Sequence, residues 1–300
     1  MNSGSIMIIA FDSMDYDVVN QGHFPHLKQK EYGKVEIEFA KEINDLKTPI
    51  IWASFITGKQ PSDHGVTEPV KLKWKNLEGL MRLSQKIGLH RSEIIYHALL
   101  NLGTKTWRYT KRNFKKKGIK TIFDFAPSRV ISLPSYNEEI INAELKELLK
   151  RALSDSRWKA QLKRGAFAVF YKKKQEVLAY LENIDWSILM VHFFITDLIQ
   201  HCFFFNETVI NDLYNVMDET VKEISAKTPA NCWILIISDH GQKRGLHTKD
   251  AFYSSNQILG LKSPKITDFY SLVKKKIFSN SKIQSEREKI KEHLKSLGYF

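Results

Sequence analysis

Three hundred residues, 43% hydrophobic and 26% charged, make an ordinary globular chain that can bury a large core as one large α/β domain or two small ones. No apolar run approaches the roughly 20 residues a membrane-spanning helix needs, so no membrane partner is expected. The net charge of +13 is concentrated, because fourteen Lys or Arg and two Glu between Lys71 and Lys120 leave +12 in that stretch and a nearly neutral remainder.

The opening "MNSGSIMIIAFDS" has no basic region before its short apolar run, so it does not read as a signal peptide. Cys202 and Cys232 sit inside apolar runs and read as reduced core residues, which fits a cytoplasmic protein. The run "IMIIAF" (6–11) lacks polar alternation, as a strand buried on both faces should, and it ends at Asp12. "VEIEFA" (35–40) and "SRVISLP" (128–134) are weaker strand candidates. In "LKTPIIWASFITGKQPSDHG" (46–65), Thr48 precedes a proline and an apolar helical stretch. It reads as an N-cap with Pro49 at the first helical position, a geometry that also presents the hydroxyl at the positive end of the helix.

Beyond the basic stretch, "NAELKELLKRAL" (142–153) and "ETVINDLYNVMDETVKEIS" (207–225) carry apolar residues at helical spacing. "SILMVHFFI" (187–195) and "WILIIS" (233–238) are further buried strands, followed by Asp197 and Asp239. "QSEREKIKEHLKSLGYF" reads as a terminal amphipathic helix with a stop at Gly298. Strands alternating with helices predict a doubly wound α/β fold, with a mainly parallel sheet and helices on both faces. Ligands bind such sheets beyond the carboxyl ends of the strands, where all three acidic residues fall.

With a helix beginning just after Asp197, Asp197 and His201 stand four apart on one face. Asp239 and His240 are adjacent at a strand end, Asp12 supplies a third carboxylate and His247 a third imidazole. These six are enough for two metal sites with positions open to water and substrate. Nitrogen and oxygen donors without thiolate suit Zn²⁺, and Mn²⁺ or Fe by the same chemistry. Singly, each residue has a plainer reading as a turn residue, a cap or a solvated pair; together they need four coincidences at one edge of one sheet.

The ordered set of Asp12, "TPIIWASFITGKQPSDHG", "TDLIQH", "SDHG" and "HTKDAFYSS" resembles the alkaline phosphatase superfamily, and within it the type I phosphodiesterase/nucleotide pyrophosphatase family in its small prokaryotic form. The resemblance covers nearly the whole chain and is least over roughly 70–120. It implies a single catalytic domain over 1–300; the basic stretch itself reads as part of a mostly helical cap inserted at roughly 70–180. The resemblance further implies a metal-dependent phosphohydrolase in which one divalent ion is held by Asp197, His201 and His247 and another by Asp12, Asp239 and His240. Thr48 would be the nucleophile on that second ion, attacking phosphorus to form a threonyl-phosphate, and His64 would not be a ligand. Two positions depart from the family pattern. Ser13 stands where glycine is usual, and "VTEPV" lacks the asparagine with which nucleotide pyrophosphatases contact a phosphate oxygen, Thr67 or Glu68 standing nearby.

A sulfatase would need a Cys or Ser in a C/S-x-P-x-R element, and neither cysteine sits in one. A cofactor-independent phosphoglycerate mutase would use serine and a longer inserted domain. The competing class is a nucleic-acid-binding protein acting through residues 71–120, where Trp74, Trp107, Tyr109 and Phe114 interleave with cations. A solvated face or a cap that attracts an anionic phosphoester, a nucleotide among them, accounts for the same charges.

Overall fold

The computed structural model describes residues 4–39, 46–66, 70–73, 104–107, 110–138, 141–183, 185–279 and 289, with the backbone alone at 70–73, 104–107 and 141–144. The terminal helix expected after residue 283 therefore falls outside the described residues, apart from 289.

Three apolar runs build the centre of the sheet. β1 (Ile6–Phe11), β6 (Ile188–Phe193) and β7 (Trp233–Ser238) are buried along their whole length. Side chains alternate across a strand, so Met7, Ile9 and Phe11 enter one core cluster while Ile6, Ile8 and Ala10 enter another on the opposite face. Both faces are thus covered, and no polar alternation can appear in the sequence.

Six strands pair in the order β2, β10, β7, β1, β6, β5, with β2 at Glu31–Val35, β5 at Ser128–Ile131 and β10 at Ala251–Ser255. β1 runs parallel to both β6 and β7, and β5 runs parallel to β6. β10 is antiparallel to β7 and β2. The register sets Phe11 level with Phe193 on one side and with Ser238 on the other. Asp12, Phe194 and Asp239 therefore leave the sheet side by side.

Helices α1 (Tyr16–Gln21), α5 (Ile141–Ser154), α6 (Lys159–Glu182), α7 (Ile195–Phe203) and α8 (Glu207–Lys227) cover one face. The other is covered by α2 (Thr48–Thr57), α3 (Pro61–His64), α4 (Lys111–Lys116) and α9, over 268–279. Two small antiparallel pairs lie outside the six-stranded sheet, β3 (Val70–Lys73) with β4 (Thr104–Trp107) and β8 (Gly241–Lys243) with β9 (Leu246–Thr248). No described helix is long and apolar enough to cross a membrane.

Some boundaries move relative to the sequence expectation. The strand expected at 35–40 lies at Glu31–Val35, and only a single bridge from Glu36 to Lys265 continues it. α6 and α9 carry no expectation of their own. Within residues 70–180, β5 joins the central sheet and α6 buries Leu162, Phe170 and Val177 against it, whereas β3 and β4 form a separate ribbon.

Ser238 locks the strand ends together. Its buried hydroxyl donates to the Met14 carbonyl at 2.7 Å and accepts from the Phe252 N–H at 2.8 Å. Ser238→Ala leaves both backbone groups without a partner and is expected to cost about 1–3 kcal/mol in a urea unfolding measurement.

Candidate metal centre

Each candidate ligand is delivered by the end of a strand or the start of a helix. Asp12 follows β1, and its N–H bonds to the Phe193 carbonyl at 3.0 Å. Asp197 lies in the first turn of α7, which begins at Ile195, before the aspartate rather than after it. The pair at i and i+4 meets as the spacing predicts, with His201 Nε2 at 3.1 Å from Asp197 Oδ1. Asp239 and His240 follow β7, and His247 is carried in by β9.

Two groups form. In the outer one, Asp197, His201 and His247 bring one ligand atom each to within 4.8 Å of one another. His247 Nε2 lies 3.3 Å from Asp197 Oδ1 and 3.1 Å from His201 Nε2. His247 Nδ1 faces the Leu46 carbonyl at 2.9 Å; a carbonyl only accepts, so Nδ1 carries the hydrogen. The bare Nε2 of the neutral ring then points at another imidazole nitrogen and a carboxylate oxygen. Converging lone pairs repel unless a cation or a proton lies among them, and that requirement fits a divalent ion.

The second set that converges within 4.8 Å is Asp12, Asp197 and His240, so Asp197 borders both groups; Asp239, fully buried like Asp12 and His240, stands beside this inner group. His240 Nε2 lies 3.5 Å from Asp12 Oδ1 and 3.3 Å from Asp239 Oδ2. The outer oxygens of both carboxylates, Asp12 Oδ2 and Asp239 Oδ2, are buried without a hydrogen-bond partner. A buried carboxylate oxygen left unpaired is costly, and an ion bound there would satisfy it. Thr48 joins this group, its Oγ1 lying 3.3 Å from both Asp12 Oδ1 and His240 Nε2.

The electrostatics follow from this crowding. Burial, reinforced by the charges of Asp239 and Asp197, pushes the Asp12 carboxyl well up from its ordinary range. Burial also raises Asp239. For Asp197 burial works upward, but hydrogen bonds from His201 and His247 outweigh it and hold the group well below the usual range. His247 is opposed by burial, yet the Asp197 carboxylate lifts it to about 9. In the metal-free protein the proton stands where a cation would.

Thr48 is not the N-cap of α2 that its place before Pro49 suggests. Lys47 is the cap and no side-chain capping bond forms, so the Thr48 hydroxyl is turned toward Asp12 and His240 instead. His64 stays outside both groups: its Nδ1 accepts from the Val66 N–H at 2.9 Å, which leaves Nε2–H to donate to Ser54 Oγ at 3.0 Å. Thr67 and Glu68 lie outside the described residues. A third cluster, His26, Asp218 and Glu219, is a loop staple, because Asp218 Oδ1 accepts the N–H groups of His26 and Leu27 at 2.8 Å each while Glu219 pairs with Lys222.

Two further residues belong to the centre, His192, which no motif marks, and Ser13, marked only as a departure from the family glycine. His192, on β6, is fully buried with Nε2 3.6 Å from Asp12 Oδ2 and its ring edge-on to Trp52. Burial and the charges of Lys173 and Lys146 keep it well below its ordinary range, so it stays neutral. Ser13 bonds to ligands of both groups, as described below. A histidine within an apolar strand was the available signal for His192; nothing local in the sequence marked Ser13 beyond its departure from glycine.

The family model for type I phosphodiesterase/nucleotide pyrophosphatase matches residues 6–297. The chain belongs to this family. A solved protein of Pyrococcus horikoshii shares the fold at TM-score 0.50 and 11% identity, over 92% of this chain and 97% of its own. The murine ectonucleotide pyrophosphatase/phosphodiesterase 5 aligns at TM-score 0.42 and 12% identity, over 79% of this chain and 57% of its own. GPI ethanolamine phosphate transferase 3 of Schizosaccharomyces pombe is 26% identical over 113 residues, which is 37% of this chain and 12% of that protein.

The structural histidine of this family member gives a pH prediction independent of metal. Burial, followed by the charge of Lys117, lowers His64 to about 4. The unfolded chain, with an ordinary value near ~6.5, takes up a proton that the folded one refuses, so stability falls as pH drops from about 6.5 to 4. Chemical unfolding across that range should show His64→Asn losing part of this pH dependence. A mutant as acid-sensitive as the wild type would mean that His64 is not held neutral.

Proposed function

We propose that this protein is a two-metal phosphoester hydrolase of the phosphodiesterase/nucleotide pyrophosphatase type, with Thr48 as its nucleophile. One observation carries the reading: a half-buried hydroxyl that caps no helix lies between Asp12 and His240, beside two carboxylate oxygens that lack partners. Asp12, Asp239 and His240, with Thr48, would hold the inner ion, and Asp197, His201 and His247 the outer one. Zn²⁺ fits this donor set, and Mn²⁺ fits it by the same chemistry. Bound divalent ions supply positive charge that favours the Thr48 alkoxide and steadies the phosphoryl oxygens.

The chain's own groups account for the remaining steps. Thr48 Oγ1–H hydrogen-bonds to Asp12, which fixes the oxygen for in-line attack on phosphorus. The ester oxygen leaves on the far side with the proton that the Thr48 hydroxyl gives up, and a threonyl-phosphate, or its ester when the substrate is a diester, remains on Thr48. Water then cleaves the new P–O bond, which releases phosphate or its monoester and restores the hydroxyl. The dipole of α2 adds favourable potential at Thr48 throughout.

The basic stretch belongs to the same reading as a cap that attracts an anionic phosphoester, of which a nucleotide is one example. Lys111, Lys115 and Lys120 line a cavity of about 400 Å³ beside Tyr136. The Lys111 N–H bonds to the Tyr136 carbonyl at 2.9 Å, and the neighbouring Ser135 hydroxyl donates to the Pro49 carbonyl at 2.7 Å. These cations therefore stand one loop away from Thr48. Phe114 is buried in the core and withdrawn from base stacking, which weighs against a nucleic-acid-binding role. Trp74, Tyr109 and the Trp107 side chain fall outside the described residues.

Two predictions test this. Thr48→Ala should lower kcat by several orders of magnitude with metal content unchanged, and Thr48→Ser should retain part of the rate. A near wild-type rate in Thr48→Ala would remove the covalent mechanism. Replacing Lys115, Lys116 and Lys120 together by Gln should raise KM and flatten its salt dependence while kcat holds. Lys117 is left in place because its Nζ donates to the His64 carbonyl at 3.2 Å.

A further inference from the structure

Ser13 is fully buried and holds a left-handed backbone conformation, φ 62°, in which a Cβ is strained and glycine is the easier residue. Its backbone is fixed on both sides. The N–H donates to Asp239 Oδ1 at 3.2 Å, and the carbonyl accepts from Gln200 Nε2 at 2.8 Å. Glycine would make both bonds with less strain, so the backbone alone gives no reason for a side chain here.

The side chain has a reason of its own. Ser13 Oγ lies 2.8 Å from Asp197 Oδ1 and 3.1 Å from His240 Nδ1. His240 Nδ1 also faces the Gly241 carbonyl at 3.1 Å, which can only accept, so Nδ1 carries the ring hydrogen. The direction of the chain is then fixed: His240 Nδ1–H donates to Ser13 Oγ, and Ser13 Oγ–H donates to Asp197 Oδ1. His240 Nε2 is left bare toward Asp12, Asp239 and Thr48, as a ligating imidazole must be. In the two-ion assignment above, Asp197 is a ligand of the outer ion and His240 of the inner one, although Asp197 also converges with Asp12 and His240; Ser13 touches both residues.

We propose that Ser13 is a positioning residue that, together with the Gly241 carbonyl, holds His240 in its ligating tautomer and that ties the inner group to the outer, so that an ion bound in one steadies the ligands of the other. The inference rests on the two-metal reading above. Strain relief and loss of the hydroxyl act in opposite directions, and two substitutions separate them. Ser13→Gly removes both the strain and the hydroxyl; Ser13→Ala removes the hydroxyl and keeps the strain.

The experiment is calorimetric titration of Zn²⁺ into metal-stripped wild type, Ser13→Gly and Ser13→Ala, with the Tm of each metal-free protein measured alongside. Wild type should bind two ions, the first enhancing the second. Ser13→Gly should match or exceed the wild-type Tm, yet lose about 10–100-fold in affinity and lose the enhancement between the steps. Ser13→Ala should show the same loss of affinity with no gain in Tm; if it fails to fold, Ser13→Gly carries the test. Ser13→Gly binding both ions with wild-type affinity and enhancement would overturn the inference and leave the two-metal reading intact. Wild type that binds no Zn²⁺ would remove that reading, and this inference with it.

Discussion

Three buried carboxylates, two leaving adjacent strands side by side and the third in the first turn of α7, cannot all stay charged without a positive partner. The rest of the centre answers that constraint. Each uncompensated ion buried there would cost several kcal/mol, far more than a surface charge. Asp197 obtains its compensation from His201 and His247, whereas Asp12 and Asp239 each keep an oxygen with no partner. The imidazoles arrive with Nδ1 committed, His247 to the Leu46 carbonyl and His240 to the Gly241 carbonyl and Ser13, so their Nε2 atoms face inward bare. A centre arranged in this way suits the cations proposed for it.

The sheet explains why the carboxylates meet. β1 sits between β7 and β6, and the register of those two pairings sets the three strand ends level. Ligands of an open α/β sheet gather where strand order changes direction, and β1 is that point here. Ser238 fastens the end of β7 to the turn after β1 and to β10, and so holds Asp239 opposite Asp12. The outer group is half-buried and the inner one closed, with half-buried Thr48 between the inner ligands and the outside. In the proposed reaction this gradient would let a substrate reach the hydroxyl without exposing the deepest carboxylates.

Much of the fold was legible because the decisive strands are buried on both faces. Unbroken apolar runs at 6–11 and 233–238 fix their own limits to the residue. The strand near 35 was misplaced because β2 alternates in burial at a sheet edge and its sequence "EYGKV" is half polar. α6 escaped notice because apolar, aromatic and lysine residues are mixed around it, and two of its lysines, Lys173 and Lys174, are themselves buried. The six candidate ligands were legible from residue type and spacing. What spacing could not give was direction. Thr48 before proline suggested a capping bond, and only the placement of Asp12 and His240 turned the hydroxyl elsewhere. Ser13 and His192 are defined by contacts across the sheet, with partners at Asp197 and Asp12, and no local pattern encodes those.

The central claim is that two cations belong at two separate ligand sets. Anomalous diffraction at the zinc edge, on crystals grown with Zn²⁺, tests it most directly. Two peaks are predicted, one among Asp197, His201 and His247 and the other among Asp12, Asp239 and His240 beside Thr48. A single peak, or none at the inner set, would contradict the account.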